Sequence, residues 1–210
     1  MYCLPAARPS RGAAFTSIED SARFMSVVRN LALVIFFLWL FIDGIAVARH
    51  RTGKPENRDR FSLLLIVLGN AVGLTVAIAL AFSPIGTVHS IVLQIVGLFV
   101  MGTGMIVRTT AIAQLGRFHT PNVAVREDHQ LMETGLYRHV RHPSYLGALL
   151  AFLGLSLALG NWLSVVVMVV IMPSIYLYRI REEEAALSAA FGKAYRAYCH
   201  RTKRLIPGLY

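Results

Sequence analysis

The residues best equipped for chemistry lie between His129 and Gly147, where Gly135, Tyr137, His139, Arg141, His142, Pro143 and Tyr145 lead straight into the apolar segment Tyr145 to Leu159. Polar groups held at the edge of an apolar medium are costly to keep there, so their density marks a candidate site. Gly135 suits a tight turn, and Pro143 suits the first turn of a helix, where its missing N–H costs nothing. Backbone amides at such a helix start can hold an anionic group. His139 and His142 stand at a metal-ligand spacing, but no carboxylate or cysteine completes a set and Pro143 disturbs the local helix, so no metal is expected. A second charged cluster, Arg179, Arg181 and Glu182 to Glu184, follows the apolar run that ends at Tyr178.

The elements that position these groups are membrane helices. Of 210 residues, 56% are hydrophobic and only 15% charged, with a mean hydropathy of +0.57, more apolar than a soluble domain. Phe61 to Phe82 and Val88 to Val107 contain no Asp, Glu, Lys or Arg, and Leu31 to Ala48 contains only Asp43. Each is about long enough to cross roughly 30 Å of hydrocarbon. Ser144 to Tyr178 reads as two further segments broken at Gly160 and Asn161; the first of them is short, so the pair forms either two spans or a shallow re-entrant hairpin. The expectation is an all-α polytopic membrane protein with about five transmembrane helices, organised as a single integral membrane domain over residues 1–210. Within it, 1–26 is a tail, 27–108 carries three membrane helices, and 109–210 carries the candidate site.

All 21 Lys and Arg residues fall outside the apolar segments. They gather before the first helix, in Arg49 to Arg60, in Arg108 to Arg141 and after Tyr178, whereas the turns Ser83 to Thr87 and Gly160 to Asn161 have none. The positive-inside rule then puts the candidate site in the cytoplasm and the N-terminus outside, at the cost of placing Arg8, Arg11, Arg23 and Arg29 on the outer side. The net charge of +10 reads as this orientation signal plus attraction to anionic lipid headgroups; no basic, aromatic-interleaved soluble domain exists to bind nucleic acid. No signal peptide is evident, and Cys3 and Cys199 have no metal or redox spacing.

Leu187, Phe191, Ala194, Tyr195 and Tyr198 recur at helical spacing, which predicts an amphipathic helix over Glu182 to Arg204 with a bend at Gly192. Gly69 and Gly73 permit close helix packing. Gly102 and Gly104 lie inside an apolar helix, with no strand before them and no third glycine, and so form no dinucleotide loop. Asp43 and Asn70 are placed to pair with each other or to face a substrate tunnel; neither is assigned a catalytic role.

Arg141 to Gly147, followed after a helical hairpin by Arg179 to Glu184, Phe191, Gly192, Tyr195, Tyr198 and Arg204 to Pro207, resembles the isoprenylcysteine carboxyl methyltransferase family. His129 and Leu131 ahead of Thr134, Gly135 and Tyr137 are similar to that family's cofactor segment. The resemblance covers roughly the last 95 residues; the first three helices share only apolarity. It implies a membrane enzyme that moves a methyl group from S-adenosylmethionine, leaving S-adenosylhomocysteine, to the carboxylate of a lipophilic acceptor such as a prenylated cysteine or another isoprenoid or lipid acid. It further implies that 109–210 is a cofactor-binding and catalytic region, in which His129, Leu131, Gly135, Tyr137, Arg141, His142, Pro143, Tyr145, Glu183 and Glu184 line the cofactor pocket. Arg179 and Glu183 then serve the reaction, Arg179 by matching the acceptor carboxylate with a two-pronged guanidinium.

Structural explanations stand beside these roles: Tyr137 and Tyr145 as interfacial anchors, Arg179 as a snorkelling flank, and the glutamates as partners of the helix dipole. Competing functions are a phospholipid amine methyltransferase, which needs a base to take the amine's proton, a nicotinamide-dependent membrane reductase, and a non-enzymatic transporter or scaffold. The absence of self-similarity between the two halves weighs against a transporter.

Overall fold

The computed structural model describes residues 11–49, 57–116 and 131–208. They form six α-helices: α1 (Arg11–Arg49), α2 (Asn57–Ala81), α3 (Ile91–Leu115), α4 (Pro143–Ala158), α5 (Trp162–Phe191) and α6 (Lys193–Arg201). A short 3-10 turn, Gly135–Arg138, precedes α4. Among the described residues the only β pairing is two isolated bridges, Thr87 with Asn161 and Val140 with Lys203. The chain is thus an all-α, multi-pass integral membrane protein: α1, α2, α3 and α5 are each long and apolar enough to cross a bilayer. Their outer faces confirm the solvent they need, with Phe41, Val72, Val92, Phe99 and Val170 all more than half exposed, an arrangement that water would penalise and lipid does not.

The bundle is held by close backbone approach. In α3, Gly97 and Gly104 stand seven residues apart, as do Gly147 and Gly154 in α4, and the two pairs interlock: a Cβ at Gly104 would collide with the backbone of Gly147 and Ala151, and one at Gly154 with that of Gly97 and Met101. With no hydrophobic drive between helices in lipid, such van der Waals contact is the main adhesive. Gly69 and Gly73 of α2 instead leave room for the side chains of Ile175 and Met172 of α5. Ala32, Phe36, Ala151, Phe152, Leu155, Met168 and Met172 fill the centre.

Several sequence expectations change in detail. Although α4 has only 16 residues, about 24 Å of rise, the turn after it meets the α2–α3 turn. Val88 N–H donates to Gly160 O at 2.8 Å and Trp162 N–H to Gly86 O at 3.0 Å, while Asn161 Nδ2 donates to Leu80 O at 2.9 Å and Ile85 O at 2.7 Å. The α4–α5 pair therefore runs to the same end of the bundle as α2 and α3, and is not a shallow hairpin. Helix α1 begins at Arg11, well inside the stretch read as a tail. Arg29 meets its cost by donating to Ala81 O at 3.3 Å and lying 4.3 Å from the Phe82 ring centroid, at the end opposite the candidate site.

Glu182 to Phe191 is not a separate amphipathic helix but the continuation of α5, because the sequence there changes polarity while remaining rich in helix-forming Glu, Ala and Leu. The break comes at Gly192, whose φ of +50° only glycine adopts readily, and α6 follows. Asp43 and Asn70 do not face each other: Asp43 pairs with Arg108, and Asn70 Nδ2 donates to the Tyr176 hydroxyl at 3.4 Å.

Candidate functional site

The site is assembled at one end of the bundle from three pieces distant in sequence. The first runs from the end of α3 to the start of α4. Gly135, at φ +62°, turns the chain under Gln114, whose Oε1 accepts the Leu136 N–H at 2.9 Å. This seats Tyr137 in the interior, its hydroxyl donating to Ala111 O at 3.3 Å.

The second piece is the C-terminal strap. Residues 139–142 run beside 202–204: Lys203 N–H donates to His139 O at 3.3 Å, Arg141 N–H to Lys203 O at 2.8 Å, and His142 N–H to Arg204 O at 3.2 Å. The Tyr198 hydroxyl donates to Tyr137 O at 2.7 Å, and Arg141 Nη1 donates to Thr202 O at 2.6 Å and Cys199 O at 3.2 Å. Burial pushes the phenols of Tyr137, Tyr195 and Tyr198 well above the ordinary tyrosine range, so all three stay neutral, and Tyr137 and Tyr198 serve as the donors just described.

The third piece is the polar extension of α5, which presents Tyr176, Arg179 and Glu183 at successive one-turn spacings on one face. The Tyr145 hydroxyl donates to Glu183 Oε2 at 2.8 Å, and the Arg179 guanidinium faces that same hydroxyl. The rings of His142, Tyr145 and Tyr176 form a row, with centroids 5.7 and 5.5 Å apart. Glu184 points the other way: Oε1 receives Arg141 Nε at 2.9 Å and lies 3.3 Å from His142 Nε2, and Oε2 receives Arg204 Nη2 at 2.6 Å. Pro143 occupies the first turn of α4 with His142 as its N-cap.

The structure therefore brings together Gly135, Tyr137, Arg141, His142, Pro143, Tyr145, Arg179, Glu183 and Glu184. Leu131 is half-buried at the beginning of the described segment, and His129 lies outside the described residues, as does Cys3. His139 is exposed while His142 is 3% exposed, so the two do not converge on one point. The adjacent acids keep different company: Glu184 has both oxygens engaged and is 13% exposed, whereas Glu183, at 34%, retains capacity to accept further hydrogen bonds. Arg179 is 3% exposed, which excludes a snorkelling role, since a snorkelling head group sits in water. Sequence reasoning missed Arg108, the partner of Asp43, and Gln114; a lone acid inside an apolar run signals that some cation must meet it, but not which one.

The model of the isoprenylcysteine carboxyl methyltransferase family matches residues 95–189. Over 184 residues the chain is 30% identical to protein-S-isoprenylcysteine O-methyltransferase B of Arabidopsis thaliana, an alignment covering 84% of this chain and 90% of the relative. It is 35% identical over 106 residues to protein-S-isoprenylcysteine O-methyltransferase of Schizosaccharomyces pombe, covering 50% of this chain and only 45% of that longer relative. The solved structure of a eukaryotic intramembrane Ras methyltransferase, isoprenylcysteine carboxyl methyltransferase, superposes with a TM-score of 0.62 at 25% identity, covering 90% of this chain and 75% of that one.

Proposed function

The chain belongs to the isoprenylcysteine carboxyl methyltransferase family, and on that premise we propose that it transfers the methyl group of S-adenosylmethionine to the carboxylate of a lipophilic acceptor, prenylcysteine-like or another isoprenoid or lipid acid, at the cytoplasmic membrane boundary. The observation that carries this reading is the placement of Arg179, buried on α5 one turn below Glu183 and beside Tyr145. A guanidinium in that position matches a carboxylate delivered from the membrane side.

The residues also suit the methyl donor. The donor supplies an electrophilic methyl carbon on a cationic sulfonium. The row His142, Tyr145 and Tyr176 offers ring faces to a cation, and Glu183 offers a carboxylate to an amino group or ribose hydroxyls. Glu184 has no such capacity left; it contributes by clasping Arg141 and Arg204 so that the strap and the α4 start keep their places. With Leu131, Gly135, Tyr137 and Pro143 this constitutes the cofactor wall.

Little acid or base catalysis is required, because a carboxylate is ionised at neutral pH. The protein's task is alignment and exclusion of water: Arg179 orients the nucleophilic oxygen, Tyr145 fixes Glu183, and the apolar bundle beneath admits the acceptor's chain without extracting it into water. Holding the reacting atoms in line supplies roughly 7 to 11 kcal/mol in favourable cases.

The test is thermal unfolding of the detergent-purified protein with S-adenosylhomocysteine and, separately, a reduced nicotinamide dinucleotide, followed by methyl transfer to a farnesylated cysteine. Stabilisation by S-adenosylhomocysteine alone is expected. Arg179→Ala should retain that stabilisation while kcat/KM falls by at least about 100-fold, the loss of a buried carboxylate partner. Stabilisation by the nicotinamide alone would establish the reductase instead, and stabilisation by neither would remove the enzyme reading.

A further inference from the structure

One buried charged cluster has no part in the mechanism above. Asp43 of α1 is 9% exposed and Arg108 of α3 is 15% exposed. They meet in a two-pronged contact, Nε to Oδ1 at 2.9 Å and Nη2 to Oδ2 at 2.8 Å. The remaining nitrogen, Nη1, reaches the Ser144 carbonyl of α4 in a long 3.5 Å contact. A single guanidinium thus joins three helices.

Cohesion does not explain the charges. A buried ion pair can often be replaced by apolar residues of similar volume with no loss of stability, and what a two-pronged pair adds is geometric specificity. The other polar ties of α1, Arg29 to Ala81 O and Gln94 to Met25 O, lie toward its far end; between them and Asp43 it meets its neighbours through apolar contacts such as Phe36 against Phe152, ring centroids 5.3 Å apart, which tolerate sliding and rotation. The pair removes that freedom at one level of the bundle. At that level Gly147 presses against the Arg108 backbone, and the residue after Ser144 is Tyr145, whose hydroxyl holds Glu183 at 2.8 Å and whose ring meets Tyr176.

We propose that Asp43 and Arg108 are positioning residues: their ion pair locks α1 onto the first turn of α4 and so holds Tyr145 against Glu183. This makes α1, of which the family match at residues 95–189 includes nothing, a working part of the site and not only an anchor. The assignment rests on the methyltransferase reading for its ligand, but not for its geometry.

The test uses the full-length protein with Asp43→Leu and Arg108→Met combined, a replacement that fills the volume and folds without the charges, and Arg108→Lys, which keeps the charge but loses the fork. Both should unfold near the wild-type temperature, bind S-adenosylhomocysteine at least about tenfold more weakly, and exchange the amides of residues 145–148 at least tenfold faster than wild type, while amides in the middle of α2 and α5 do not change. A structural role alone would leave the next result unmoved: in a Tyr145→Phe background the double replacement should cost no further affinity, because the hydroxyl it positions is gone. Wild-type affinity in either folded variant, or full additivity with Tyr145→Phe, would overturn the proposal. If the wild type itself gains nothing from S-adenosylhomocysteine, it is the methyltransferase reading that fails. Amide exchange then decides alone, and unchanged protection at 145–148 overturns the positioning role.

Discussion

Replacing Glu184 by alanine tests the most heavily connected carboxylate in the site. Its removal leaves Arg141, 11% exposed, and Arg204, 30% exposed, without their shared anion, and takes from His142 a partner at 3.3 Å. Stripping one partner from a buried pair costs about 3 to 5 kcal/mol. Arg141 keeps its two carbonyl acceptors at Cys199 and Thr202, and water reaches Arg204, so the lower end applies, about 3 kcal/mol. That energy holds the strap to the α4 start, not the bundle to itself. Its loss should therefore appear as local opening: amides of Arg141, His142 and Lys203, the three donors of the ladder, should exchange roughly 100-fold faster. Amides in the middle of α3 should be unaffected. Hydrogen exchange read by mass spectrometry on the detergent-solubilised protein makes the comparison. Glu184→Gln, which keeps the shape and one or two neutral hydrogen bonds, should show an intermediate effect. Unchanged exchange at the three ladder amides in Glu184→Ala would refute the view that this carboxylate fastens the strap.

Two further outcomes follow from the same geometry. Gly104→Ala drives a methyl into the α4 backbone, whereas Gly102→Ala meets nothing within 4 Å; the first should destabilise by about 1 to 3 kcal/mol or more and the second should be neutral or stabilising by about 0.5 to 1 kcal/mol, read as thermal unfolding, and equal stability of the two would contradict the close α3–α4 contact. Burial raises the phenol pKa values of Tyr137, Tyr195 and Tyr198 in the folded chain, so the folded state holds these protons more tightly than the unfolded one. Their contribution to stability is complete below the ordinary tyrosine value near 10 and declines as pH rises through and beyond it. Unfolding midpoints should be flat in this respect up to about pH 9.5 and fall from there, less steeply in Tyr198→Phe.

What the sequence determines by itself are the properties carried by contiguous residues. Apolar runs with at most one charge specify the membrane helices because an unpaired charge in hydrocarbon is costly, and the seam at Gly160 and Asn161 marks the last turn. The ordered cluster from Arg141 to Gly147, with Arg179 to Glu184, carries the resemblance to the family and most of the residues that meet at the candidate site, because these groups are concentrated in two short segments. The tail was legible in polarity but not in extent: hydropathy changes at Arg179, where α5 leaves the apolar layer, while the backbone continues as helix until Gly192 releases it.

Tertiary structure alone decided the partnerships. Asp43 was visible as a costly charge, yet its partner lies 65 residues on; Asn70 found Tyr176 on α5, and Arg204 found Glu184 through a strap that doubles back beside residues 139–142. It alone also separated Glu183 from Glu184, neighbours that a helix turns by about 100° from each other, leaving one with hydrogen-bonding capacity and the other enclosed by guanidinium groups. Periodicity records which face a residue occupies, but which helix stands opposite that face is set by backbone packing at Gly97, Gly104, Gly147 and Gly154, a property of pairs of helices that no single stretch of sequence contains.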